Sequence, residues 1–174
     1  MNKYILTIIS ILILIHGCAS GVTKDILVEA EADPKINFQD YSSYTWLGSA
    51  AIVFDSQGRW EPPEFDADAE IKFLIDRELR ARGMSENSVD PDMIVAFAAG
   101  IDMDSMEISI DPESQLTVLE NVPQGALAVV LLDAHTGQAI WGGVATADIQ
   151  ENPGQETIKK RLDFAVTSMF KKFP

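Results

Sequence analysis

An aspartate and a histidine, Asp133 and His135, are separated by one alanine between two apolar stretches of the sequence. Serine hydrolases use such a pair, in which the acid orients the histidine and the histidine accepts the proton of a serine. On a strand, residues 133 and 135 would point to the same face. The sequence contains no Gly-x-Ser-x-Gly motif, however, and no serine is distinguished by its neighbours. We therefore interpret His135 as a solvated turn residue and predict that the chain has no catalytic residue.

A cluster of acidic residues resembles part of a calcium-binding loop. Asp102, Asp104 and Glu113 fall at positions 1, 3 and 12 of such a loop. Met106 and Glu107 then occupy the positions where the loop needs an oxygen ligand and a glycine. We therefore interpret the segment as an exposed acidic loop, and predict no metal site and no cofactor.

The single cysteine, Cys18, follows an apolar run over residues 5–15 that begins shortly after Lys3. A short basic start, an apolar stretch and small residues at its end are typical of an export signal. The run is about half as long as a membrane-spanning helix. Residues 15–18, IHGC, resemble the bacterial lipobox, and this resemblance implies cleavage before Cys18 and diacylation of the cysteine. The alternative is an ordinary signal peptide that leaves Cys18 as a free thiol. A zinc or catalytic role for Cys18 is disfavoured, because no partner residue lies near it in the sequence.

Lipid attachment would decide where the protein resides. Each buried methylene contributes about 0.8 kcal/mol of membrane affinity, so several acyl chains hold a protein durably. Because Ala19 rather than Asp follows the cysteine, analogy with lipoprotein sorting implies the outer membrane, facing the periplasm. We expect a signal peptide over residues 1–17, an acylated cysteine and flexible tether over residues 18–25, and a single domain over residues 26–174.

The chain is strongly acidic, with a formal net charge of −14 at pH 7. A nucleic-acid-binding protein needs a basic surface, so this charge argues against a nucleic-acid partner. It would also be repelled by anionic lipid headgroups, which leaves the acyl chains on Cys18 to hold the membrane. We interpret the acidity itself as a contribution to solubility.

Aromatic residues are concentrated in residues 37–48, and a further tryptophan lies in the loop predicted over residues 55–65. Their frequency favours an extended or strand-like segment. Packing in the core is the simpler interpretation; the alternative is a platform that contacts a small apolar ligand, a lipid or a protein partner. The candidate contact residues are Tyr41, Tyr44, Trp46 and Trp60.

Two helices are predicted from apolar residues that recur every three or four positions. The first spans residues 66–82, with acidic residues at its start, arginines near its end and Gly83 as a C-terminal cap. The second spans residues 155–171 and follows the turn sequence Asn-Pro-Gly. The apolar stripes are Ile71, Leu74, Ile75 and Leu79 in the first helix, and Ile158, Leu162, Val166, Met169 and Phe170 in the second.

Apolar runs predict the strands. A turn at residues 134–137 makes a hairpin of the last two strands, and residues 102–122 are assigned as strand, loop or both. No internal repeat or second zone of composition appears, so the elements predict one α+β domain. The predicted strands are residues 26–30, 92–101, 126–133 and 138–149.

The order of these segments resembles a known family. The sequence carries DYSSYTWLG, a helix ending in ARGM, DMIVAFAAG, GALAVVLLDAHTGQAIWGGVA and a helix ending in MFKKFP. This order is similar to that of bacterial lipoproteins of the domain of unknown function 4136 family, from about Ile26 to Pro174. The hairpin with Trp141 and the terminal Phe173-Pro174 are its most specific parts, whereas Gly142 departs from the long polar residue that the family often has. The resemblance implies an α+β fold, a mainly antiparallel β-sheet with two α-helices packed on one face.

The resemblance supplies a compartment and a fold but no reaction. Our leading hypothesis is a lipid-anchored, non-enzymatic accessory of envelope interaction or assembly, with an envelope protein as partner. One alternative is a binding module for a small apolar or lipid ligand. An envelope hydrolase is a further alternative, with no positive support from the residues.

Overall fold

The structure is a computed structural model that describes residues 21–110 and 117–174. The predicted signal peptide, Cys18 and Glu113 lie outside these residues. Within them, short 3-10 turns at Gly21–Thr23 and Phe38–Asp40 accompany the longer elements. These are β1 (Leu27–Ala32), β2 (Ser43–Phe54), α1 (Ala67–Ala81), β3 (Ser85–Glu86), β4 (Met93–Asp102), β5 (Met106–Ile110), β6 (Thr117–Asn121), β7 (Gln124–Asp133), β8 (Ala139–Asp148) and α2 (Gln155–Phe170).

Six strands form one sheet in the order β1-β8-β7-β4-β2-β3. Three neighbouring pairs are antiparallel: β1 with β8, β8 with β7, and β7 with β4. β2 pairs in parallel with both β4 and β3. The parallel pair is possible because α1 provides the crossover connection between β2 and β4. β5 and β6 form a separate antiparallel hairpin. The predicted α+β class and mainly antiparallel sheet are confirmed.

Both helices pack on one face of the sheet. The buried face alternates along each strand, as in Val95 and Phe97 of β4 and Val129 and Leu131 of β7. Trp141 of β8 lies under α2, with its ring centroid 5.0 Å from that of Phe170. The helices contribute the other half of the core, chiefly Ile71, Leu74, Ile75, Leu79, Ala165, Val166, Met169 and Phe170.

Local sequence explains where the first helix begins and ends. The Asp66 side chain accepts the N–H of Ala69 at 2.9 Å, which satisfies one of the free donors of the first turn. Gly83 has a φ of +83°, the left-handed conformation that favours glycine after a helix. The prediction of this helix is confirmed to within one residue at each end.

The N-terminal part of the domain differs from the prediction in the length of its second strand. The aromatic segment begins with the 3-10 turn at Phe38–Asp40, and β2 then continues to Phe54, six residues beyond the predicted segment. Residues 21–25, assigned to a flexible tether, include a 3-10 turn and are fastened to α2. Arg161 donates hydrogen bonds to both carboxylate oxygens of Asp25, and this bidentate contact joins the segment to α2.

Candidate functional site

A polar pocket of about 370 Å³ lies where the turn between β7 and β8 meets the segments that precede β2 and β4. It combines three carboxylates with one lysine, one histidine and one tyrosine. The lining residues are Lys35, Ile36, Asn37, Asp40, Tyr41, Asp92, Asp133 and His135.

Asp133 is held as a carboxylate by four hydrogen bonds. The Tyr41 hydroxyl donates to Oδ2 at 2.8 Å. In the turn, the backbone N–H groups of His135 and Thr136 donate to Oδ1 at 3.0 and 2.7 Å, and the Thr136 hydroxyl donates at 2.9 Å. These bonds lower the pKa of Asp133 to about 2, and the bond from Tyr41 is the largest cause. Burial and then the bond to Asp133 raise the pKa of Tyr41 to about 12. At neutral pH the pair is therefore a phenol and a carboxylate, and Asp133 is a weak proton acceptor.

Asp92 ties the start of β4 to the start of β2. Its Oδ2 accepts the backbone N–H and hydroxyl of both Ser42 and Ser43 at 2.8–3.0 Å. The Ser43 hydroxyl oxygen accepts the backbone N–H of Asp92 at 3.1 Å. The bond from the Ser42 backbone is the largest of the causes that lower the pKa of Asp92. The sequence analysis did not single out Asp92, since only the parallel pairing of β2 and β4 brings it to these serines.

The structure places Asp133 and His135 together, but not as a catalytic pair. His135 is exposed in the turn between β7 and β8, and its backbone N–H rather than its ring donates to Asp133. Ser42 and Ser43, which lie near the pocket, donate to Asp92. The arrangement of the described residues thus differs from that of a serine hydrolase, in which the histidine ring contacts both the serine and the acid.

Among residues 21–110 and 117–174, no group of three or more His, Cys, Asp or Glu side chains is placed to hold a metal ion. Asp104, from the segment compared with a calcium loop, instead accepts the N–H of Ser56 at 2.9 Å and a bond from Arg59 at 3.2 Å. The proposed absence of a metal and of a cofactor stays a prediction.

The four candidate aromatic residues do not form one platform. Tyr41 lies in the polar pocket, and the backbone N–H of Trp60 donates to Asp55 at 2.7 Å in the loop after β2. Tyr44 is fully buried in the core, and its hydroxyl donates to Asp76 of α1. Trp46 is half-buried and packs edge-on against Tyr44 at a centroid distance of 6.2 Å. Contact of any of the four with a ligand or partner stays a prediction.

The face of the sheet opposite the helices is a surface that the sequence analysis missed. In the described part of the chain no helix lies on it, and its middle rows are formed by small and branched apolar side chains. The register aligns Ala50, Ala98, Ala128 and Val144 in one row across four strands. We call this surface the bare face: Gly48, Ala50, Ile52, Ile94, Ala96, Ala98, Gly100, Ala126, Ala128, Val130, Leu132, Gly142 and Val144.

The bare face explains why residues 92–101 form an almost unbroken apolar run. The odd-numbered residues Met93, Val95 and Phe97 face the helices, whereas the apolar even-numbered residues face away from them. The small size of Ala96, Ala98 and Gly100 is the feature of the sequence that could have indicated this surface. Gly142, the departure from the family pattern, lies on this face, where it keeps the surface flat and apolar.

A family model described as a domain of unknown function (DUF4136) matches residues 28–174. The chain belongs to this family. The resemblance seen in the sequence is therefore confirmed over nearly the whole predicted domain. No curated protein sequence matches the chain.

A solved structure from the same family shows the same fold at low sequence identity, and two further structures are similar to the chain. A DUF4136 family protein from Bacteroides thetaiotaomicron has a TM-score of 0.53 at 11% identity, over 83% of this chain and 95% of that chain. A PDZ domain protein from Parabacteroides distasonis has a TM-score of 0.49 at 11% identity over 86% of this chain, which spans 37% of that protein. A lipoprotein from Neisseria meningitidis has a TM-score of 0.42 at 11% identity, over 75% of this chain and 98% of that chain. None of the described helices is long and apolar enough to cross a membrane.

Proposed function

We propose that this DUF4136 protein is a lipid-anchored, non-enzymatic interaction module of the cell envelope. Acyl chains on Cys18 hold it at the outer membrane, facing the periplasm, and the bare face contacts an envelope protein. The bare face is the observation that carries the proposal. The lipobox-like IHGC at residues 15–18 supports the anchor.

Contiguous apolar surface on a folded domain is a feature of interaction sites, whereas scattered single apolar residues are ordinary. Val144, at the β8 end of the row that crosses the face, is 43% exposed. The residues of the bare face are uncharged in a chain with a net charge of −14, and Glu29 and Glu31 of β1 border it opposite Val144 and Gly142. Burial of such a surface contributes about 25 cal/mol for each Å² of apolar area.

The experiment is photo-crosslinking in cells, with a photoreactive amino acid introduced into the full chain at Val144. The matched control carries it at Phe164 of α2, which is 38% exposed on the opposite side of the domain. We expect one recurrent protein adduct at Val144, its loss when Ala126→Lys is added, and no such adduct at Phe164. Equal adducts at both positions would contradict a role for the bare face.

The anchor is tested in the same cells with Cys18→Ser. We expect the precursor to stay unprocessed and the adduct at Val144 to be lost, because the chain no longer reaches the outer membrane. Unchanged processing and membrane partitioning of Cys18→Ser would show that Cys18 carries no lipid.

A further inference from the structure

The long strand β2 has an edge that the described part of the chain leaves almost unpaired. On one side β2 pairs with β4 from Tyr44 to Phe54. On the other side β3 pairs only with Ser43 and Tyr44. Further along the strand, every residue from Leu47 to Phe54 is exposed.

The register shows which backbone groups are free. The carbonyl of Phe54 accepts the N–H of Met103 at 2.8 Å, so the backbone of Phe54 faces the β4 side. Successive residues of a strand direct their N–H and C=O groups to opposite sides. The N–H and C=O groups of Ser49, Ala51 and Val53 therefore point away from β4, towards the outer edge.

Among the residues that the structure describes, nothing gives this edge the usual protection against pairing. Natural sheets protect an outer strand with charged side chains, proline, bulges or a covering element. From Ser43 to Phe54 there is no charged residue and no proline, and the single bulge lies at Trp46–Gly48, before the free segment. The free segment is also apolar: Ile52, Val53 and Phe54 are 50%, 42% and 63% exposed.

We propose that the outer edge of β2 pairs in antiparallel fashion with the same edge of a second copy of this chain, about a two-fold axis through Ala51. A second copy fits because the segment is complementary to itself. The axis places Gly48 opposite Phe54, Ser49 opposite Val53 and Ala50 opposite Ile52, so a small residue meets a large one in each cross-strand pair. Two Ala51 residues meet at the axis, and the free N–H and C=O groups on both sides become paired.

Charge also selects this edge for contact between copies. Each copy carries a net charge of −14, so close approach through its acidic surfaces is repulsive. The twelve residues of β2 contain no charge. This self-association goes beyond the proposed envelope role, and it extends the sheet without covering the bare face.

The test is a cysteine scan of the full chain in its membrane under mild oxidation, with one cysteine at a time at positions 49 to 53. The unaltered chain, whose natural cysteine is Cys18, and Ala81→Cys on the exposed end of α1 are the controls. We expect Ala51→Cys to give severalfold more disulfide-linked dimer than its neighbours. Directly opposite residues in such a pair have Cα atoms about 5.5 Å apart, within disulfide reach. Two copies of residue 50, or of residue 52, are diagonal neighbours across the strand pair. Their Cα atoms would be about 7–8 Å apart, too far for an efficient disulfide.

A second measurement uses Ala51→Pro. Proline removes an N–H that faces the outer edge and leaves the bonds between β2 and β4, so the fold is expected to persist. We expect native mass spectrometry of the full chain to show a dimer that Ala51→Pro converts to monomer, with unchanged circular dichroism. A monomeric unaltered chain, or linkage spread evenly over positions 49–53 or equally strong at position 81, would overturn the proposal.

Discussion

At the scale of single residues, the bond from Tyr41 to Asp133 joins the segment before β2 to the end of β7. It spans 92 residues of sequence, so no local pattern predicts it. Because the pKa of Asp133 falls from its ordinary 3.8 to about 2 on folding, its carboxylate stabilises the fold above about pH 4. That contribution is lost as the pH falls towards 2.

We expect Tyr41→Phe to lower the free energy of unfolding at pH 7 by about 1 kcal/mol, since both groups are partly exposed. At pH 2 the difference from the unaltered protein should be smaller, because Asp133 is then partly protonated. Urea denaturation at the two pH values measures this. An equal loss at both would mean that Tyr41 acts through packing alone.

At the scale of elements, α2 approaches β8 so closely at Gly143 that any added side chain would displace its neighbours. A Cβ on Gly143 would lie 2.9 Å from Met169 Sδ and 2.9 Å from a ring carbon of Trp141. A Cβ on the adjacent Gly142 would meet its nearest atom, the carbonyl oxygen of Val129, at 3.9 Å. The two glycines therefore provide a matched pair on the two faces of one strand.

We expect Gly143→Ala to destabilise the protein by about 1–3 kcal/mol, because α2 must move away from the sheet. Gly142→Ala should stay within about 0.5 kcal/mol of the unaltered protein. Thermal denaturation of both variants makes the comparison. Similar melting temperatures would show that α2 tolerates displacement, contrary to the close contact described here.

The elements also show how far the sequence could predict the fold. The helices were predictable because apolar stripes and end residues such as Asp66 and Gly83 are local signals. The end of β2 was not, since the segment from Ser49 to Phe54 has neither alternation nor a turn residue. Its parallel pairing with β4, and with it the site around Asp92, depends on contacts between distant segments. The bare face was hidden because an apolar run reads the same whether one face or both are covered.

At the scale of the whole molecule, Arg161 fixes how the domain begins. Its guanidinium donates to both carboxylate oxygens of Asp25, at 2.8 and 2.5 Å, to the carbonyl of Asp148 at 3.0 Å and to the carbonyl of Val22. The bond from Arg161 is the main reason why the pKa of Asp25 is lowered. One side chain of α2 thereby holds the N-terminal segment against the end of β8.

This arrangement bears on the proposed anchor. Only three residue steps separate Cys18 from the folded segment at Gly21, and three steps span at most about 10 Å. A lipid on Cys18 would therefore keep the start of the domain close to the membrane surface for as long as Arg161 holds the segment. Loss of the Arg161 contacts would lengthen the tether by several residues.

We expect Arg161→Gln to release the segment and raise the rate of cleavage after the exposed Lys24 severalfold in limited proteolysis with a lysine-specific protease. Lys160→Gln, a change of equal charge at the exposed neighbouring position, is the control and should leave that rate unchanged. Hydrogen exchange of the amides in β1 and β8 distinguishes local release from global unfolding, because they should stay protected in both variants. An unchanged cleavage rate in Arg161→Gln would mean that burial of Ile26, rather than the arginine, holds the N-terminal segment in place.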